Sequence, residues 1–158
     1  MDSDQLTPEV RDWLTQNGWS PGRDIGKRAD ELVQARLKVA DRCGVPLVPV
    51  PAAVRVIHTY GGLTLRHPKG EEAAWVMDGT FAYDGIVSDI RELAFGLGVE
   101  LFPVGIESTE HSSILVDEKG RFFYLHHTGG YYAGENDDDA FSRFLRGVND
   151  PDAEDFFV

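Results

Sequence analysis

Five histidines, one cysteine and many carboxylates are the side chains of this sequence with chemistry to offer. Metal binding needs imidazoles that converge. His126 and His127 are adjacent on an expected strand, where successive side chains point to opposite faces, so one ion does not readily take both. His58, His67 and His111 are scattered, and no His-x-x-x-His pair on a helix supports any of them. His111 lies near Glu107 and Glu110, a spacing open to a weak carboxylate–histidine site, although a solvated loop explains it as well. Cys43 precedes Gly44 at an expected helix end, where the negative dipole disfavours a thiolate nucleophile; a buried small apolar side chain is the expectation. Ser112 and Ser113 lack a Gly-x-Ser-x-Gly elbow, and Gly129, Gly130 and Gly134 miss the dinucleotide-binding spacing. Asp117 and Glu118 sit in a turn, where local hydrogen bonding is their usual task. The expectation is therefore no catalytic set, no cofactor and no metal.

Binding has a better candidate. The stretch from Thr128 to Asp139 sets Tyr131 and Tyr132 beside Glu135, Asp137, Asp138 and Asp139, on an expected loop and helix start. Tyrosine brings large rigid area with a polar tip to protein interfaces, and carboxylates steer a basic partner toward them. These six residues are the expected partner-binding set. The same acids also suit a helix N-terminus, with the tyrosines partly in the core.

The elements that must position them follow from periodicity and punctuation. Thr7-Pro8-Glu9 opens a first helix with Thr7 as cap, and Gly18 stops it. Asp24 is the expected cap of a second helix, with Ala29, Leu32, Val33, Leu37 and Ala40 on one stripe before Gly44 and Pro46. A third runs from Pro51 to Gly61-Gly62. Leu63 with Leu65, and Trp75 with Met77, alternate as strands do. A helix carrying Ile86, Ile90, Leu93, Ala94 and Leu97 follows, then strands at Leu101–Val104 and Ser113–Val116. Asp117-Glu118-Lys119-Gly120 turns the chain into a strand from Phe122 to His127 that is apolar on both faces and therefore expected to be central. Tyr131 and Tyr132 extend this meander. Asp137–Asp139, Arg143, Arg146 and Gly147 bound a last helix. The fold class is α+β, with a helical N-terminal half, a mostly antiparallel central sheet and a C-terminal helix packed on it. Residues 1–147 read as a single domain and 148–158 as an acidic tail whose apolar Phe156-Phe157-Val158 suggests docking.

Bulk properties narrow the function classes. At 158 residues the chain fits one domain able to bury a core without staples. A lone cysteine, an acidic N-terminus and the lack of a long apolar run point to the cytoplasm. A net charge of −12 repels nucleic acid and anionic membranes and favours a basic partner. Oligomeric state is left open.

The order of short motifs adds a further reading. Trp19-Ser20-Pro21-Gly22-Arg23, Tyr60-Gly61-Gly62-Leu63, Leu97-Gly98-Val99-Glu100-Leu101-Phe102-Pro103-Val104-Gly105, Val116-Asp117-Glu118-Lys119-Gly120-Arg121 and Leu145-Arg146-Gly147 follow one another along the chain. This series resembles the third family of the SUKH superfamily, mostly immunity proteins of bacterial polymorphic toxin systems. The resemblance runs from about Leu14 to Gly147 and implies an α+β protein that binds and neutralises a cognate toxin, with no catalytic set. The motif glycines fall at expected helix ends and turns, Trp19 is expected to anchor the first turn, and Arg23 is expected to form a local ion pair. The alternative function is a non-catalytic regulatory or scaffold module that binds proteins.

Overall fold

Proline and glycine punctuate the helices as the sequence predicts. The computed structural model describes residues 5–78 and 85–158. In it α1 (Pro8–Gln16) and α3 (Pro51–Tyr60) each begin on proline, whose missing N–H costs nothing at a first helical position. The second helix, α2, is Lys27–Arg42. Helix α4 (Ile86–Leu97) closes on Gly98 at φ 69°, a left-handed conformation in which a Cβ would be strained. Helix α5 (Asp137–Arg146) closes the same way on Gly147, and Asn136, not an aspartate, caps its start by accepting from the Asp139 amide at 2.9 Å.

Six strands form one antiparallel sheet in chain order: β1 (Thr64–His67), β2 (Gly70–Val76), β3 (Leu101–Glu107), β4 (Ser112–Asp117), β5 (Phe122–His126) and β6 (Gly129–Gly134). The expected α+β class is the observed one. Because side chains alternate along β5, Phe122 and Phe123 enter different layers. Phe122 meets Trp75 and the α5 residue Phe141, whereas Phe123 meets Tyr132 and Phe156. Full burial of such rings contributes roughly 1.5–3 kcal/mol each. Trp19 is buried as expected.

The tail makes one of these layers. Its 3-10 turn, Ala153–Phe156, stacks the Phe156 ring on Tyr132 at 4.4 Å, and the Tyr132 amide donates to the Pro151 carbonyl at 2.8 Å. Asp152 bridges Tyr131, and the Phe157 ring lies where any side chain on Gly96 would collide with it. This covering explains why β5 reads as central although it is next to the edge strand β6.

Several local expectations are corrected. Thr7 makes no side-chain cap on α1; its hydroxyl reaches Asp138 instead. Asp24 lies before α2, accepting from the Gly26 amide at 2.8 Å, and Gly26 holds the cap position. Cys43 is exposed: α2 ends at Arg42, and Cys43 is the cap residue just past the buried part of the stripe. Among the described residues Arg23 forms no ion pair. Its guanidinium donates to the Thr59 and Gly61 carbonyls, both at 2.9 Å, neutralising the α3 C-terminus. His126 ends β5 while His127 belongs to the turn, so strand alternation no longer holds and the two rings lie 3.9 Å apart. Arg36, passed over in the α2 stripe, is fully buried, donating to the Leu32 carbonyl at 3.1 Å and to the Asp78 carbonyl. Burial lowers its pKa to about 10, and it stays cationic at neutral pH.

Candidate partner-binding face

The six residues of the expected binding set do not form one surface. Asp137 is only 1% exposed. Its carboxylate accepts two bonds from Arg55, at 2.9 and 2.6 Å, and a third from the Tyr60 hydroxyl at 2.7 Å. That joins α5 to α3 and leaves Asp137 nothing to offer a partner, a correction to the sequence expectation. The Tyr60 phenol is pushed well above its ordinary pKa, first by burial and then by the adjacent Asp137 charge.

Asp138 accepts from the Thr7 amide at 2.8 Å and the Thr7 hydroxyl at 3.1 Å, pinning the start of α1 to the start of α5. Asp139 accepts from the Glu135 amide at 2.8 Å. Tyr132 is 8% exposed under Phe156, with its hydroxyl donating to Glu135 at 3.1 Å and the Arg143 guanidinium over its ring. Burial and then the Glu135 hydrogen bond raise its pKa to about 12. Glu135 is exposed, and Tyr131, Asp138 and Asp139 are each partly so.

Tyr131 instead sits where two hollows meet. The first, about 620 Å³, lies on the Tyr124 side of the sheet beyond the end of α5 and is lined by Glu107, Glu110, Asp150, Arg143 and Phe144. The second, about 390 Å³, lies on the Leu125 side and is lined by Asp89, Glu92 and Leu93 of α4 and by Asp152, Glu154 and Phe157 of the tail. Both are lined by His126, Thr128 and Tyr131, so they join around the β5–β6 turn. Their sizes are those of ordinary ligand sites.

Local bonds hold the walls in place. The Tyr131 hydroxyl and His126 Nδ1 each lie 2.9 Å from the Thr128 hydroxyl. Glu107 accepts from the Thr109 and Glu110 amides at 2.9 and 3.1 Å, which shapes the β3–β4 turn. His111 is exposed in that turn at φ 53°, the solvated position weighed for it. The Trp75 indole donates to the Tyr124 hydroxyl at 3.1 Å, and burial pushes that phenol well above its ordinary pKa. Burial likewise raises the Asp150 carboxyl, with nearby Arg143 opposing the shift.

Among the described residues no group of three or more His, Cys, Asp or Glu side chains is placed to hold a metal ion. No helix among them is long and apolar enough to cross a membrane. What this region can do is accept hydrogen bonds and balance positive charge. The sequence reading weighed Glu107 only with His111 and the tail acids only as a tail, and did not group them with the α4 acids, because they are spread over more than sixty positions with no shared spacing.

The family model described as SUKH-3 immunity protein matches residues 6–147, which takes in every helix and strand up to the end of α5 and leaves the docked tail outside. No curated protein and no solved structure matches the chain.

Proposed function

The chain belongs to the SUKH-3 immunity protein family, and on that premise we propose that it binds a cognate bacterial toxin and neutralises it by direct, stoichiometric association. The family match over nearly the whole chain is the observation that carries this reading. Inhibition of this kind requires surface complementarity and no chemical step by the inhibitor. The net charge of −12 favours a toxin with a basic surface, steering encounter over distances comparable to the Debye length. The same charge works against binding to nucleic acid or anionic membranes, and the proposed site of action is the cytoplasm. Of the residues expected to face the partner, Glu135 is exposed, Tyr131, Asp138 and Asp139 are partly so, and Tyr132 and Asp137 are buried.

The test uses the product of the adjacent gene, where the reading expects a toxin-domain protein. Co-expression is expected to yield a stable complex of defined stoichiometry by light scattering, and the purified immunity protein is expected to abolish the toxin's activity at equimolar ratio. A neighbouring toxin that neither binds nor loses activity overturns the reading.

A further inference from the structure

The acids of this chain are not evenly placed around the two hollows at the β5–β6 turn. Glu110 and Asp150 line the first, with Glu107 already bonded to the Thr109 and Glu110 amides, and Asp89, Glu92, Asp152 and Glu154 line the second. Among the described lining residues Arg143 is the single lysine or arginine, and its guanidinium already lies over Tyr132 and donates to the Asn149 carbonyl. Asp150 is exposed at the rim of the first hollow and makes no hydrogen bond and no close ion pair among the described residues. A carboxylate with no donor in its own fold is open to pairing with an incoming cation. The Tyr124 hydroxyl, which lines the same hollow, accepts from Trp75, and no acceptor among the described residues takes its own proton.

A second kind of surface adjoins the acid. Phe95, on the α4 face that follows Glu92 by three residues, is 89% exposed. The next residue, Gly96, carries the Phe157 ring, and Phe157 itself lines the second hollow. An exposed aromatic beside concave acidic walls is the composition of a protein interface, not of a solvated charge run.

We propose that these two hollows and the Phe95 edge are the toxin-facing site, and that they take an arginine-bearing segment of the toxin with a guanidinium seated beside Tyr131. This rests on the toxin-binding reading. Arginine fits better than lysine because its planar fork pairs with carboxylates at two points and stacks on the Tyr131 and His126 rings. The tail supplies Asp150, Asp152, Glu154 and Phe157, all beyond the family match at residue 147. Part of the site thereby lies outside the span the family model matches.

The first arm of the test needs no toxin. A hexa-arginine peptide is titrated into the full chain and amide shifts are followed by NMR. Saturable shifts are expected at residues 89–95, 126–131 and 150–157, with weaker effects from hexa-lysine. Asp150→Asn with Glu154→Gln is expected to weaken the peptide about tenfold, equivalent to about 1.4 kcal/mol. Asp41→Asn, at an exposed acid on α2, is expected to change affinity little. Shifts spread equally over α2 and α5, or equal affinities for the two variants, overturn the site. Thermal unfolding of both variants checks that the fold is intact.

The second arm uses the neighbouring toxin. Toxin binding that is indifferent to Asp150→Asn/Glu154→Gln and to Phe95→Ala removes the site and leaves the toxin reading standing. Peptide seated in the hollows with no toxin bound removes the toxin reading instead.

Discussion

Arg55 and Asp137 meet as a bidentate ion pair, at 2.9 and 2.6 Å, although 82 residues separate them in the chain. The Tyr60 hydroxyl completes the set on the same carboxylate at 2.7 Å. Removing the carboxylate strands a buried phenol and a guanidinium that is 35% exposed, so part of the loss is recovered by water. Asp137→Ala is expected to cost about 3 kcal/mol by urea denaturation. The folded fraction of the variant is expected to keep its affinity for the toxin. A loss below about 1 kcal/mol would mean the pair is not structural.

The buried tyrosines make the fold sensitive to alkali. Tyr60 and Tyr124 are held well above the ordinary phenol range by burial, and Tyr132 is raised to about 12. Above pH ~10 the unfolded chain releases its phenolic protons while the folded chain keeps them. The folded state therefore binds more protons, and stability falls as pH rises through this window. Each such tyrosine contributes a slope of up to about 1.4 kcal/mol per pH unit. Urea midpoints taken from pH 9 to 11 are expected to drop less steeply for Tyr60→Phe than for the parent chain. Equal slopes would contradict the assignment.

The docked tail predicts a local effect separate from global stability. Phe156 stacks on Tyr132 and meets the edge of Phe123. Phe156→Ala is expected to cost about 1–2 kcal/mol, less than a fully buried ring because Phe156 is only partly enclosed. Hydrogen exchange is expected to accelerate at the Tyr132 amide, which donates to the tail carbonyl of Pro151, more than at β4. Uniform acceleration across the sheet would show that the tail is not a separable layer.

Cys43 is exposed at the end of α2. A thiol reagent is expected to titrate one cysteine in the native protein at the rate of an unprotected thiol, with no lag for unfolding. Cys43→Ser is expected to change stability by no more than about 0.5 kcal/mol. Reaction only after addition of denaturant would restore the buried position inferred from sequence.

Much of the fold was legible because its signals are local. The period of Ile86, Ile90, Leu93 and Leu97, the prolines at positions 8 and 51, and Gly98 and Gly147 mark α1, α3, α4 and α5 close to their observed bounds. Short-range rules also handled the turn at Asp117–Gly120, where the Asp117 carboxylate accepts from the Lys119 and Arg121 amides at 2.9 Å. They failed wherever the deciding partner was distant in the chain. Arg36 falls on the packed side of α2, and nothing near it in sequence announces the Asp78 carbonyl that it reaches. Arg23 reads as half of an ion pair until the carbonyl ends of α3 arrive beside it.

The candidate site shows the same division. Asp137, Asp138 and Asp139 are chemically identical and consecutive, so sequence alone determined only that acid collects at the start of α5. Their tertiary surroundings assigned one to Arg55 and Tyr60, one to Thr7 and one to the Glu135 amide. The acids that line the two hollows come from α4, the β3–β4 turn and the tail, gathered around Tyr131 by the antiparallel order of the strands. Class, helix ends and family are written in the chain because propensity and periodicity act between near neighbours. Which charges are spent internally and which remain free depends on distances through space, and these exist only once the sheet has closed over its two layers.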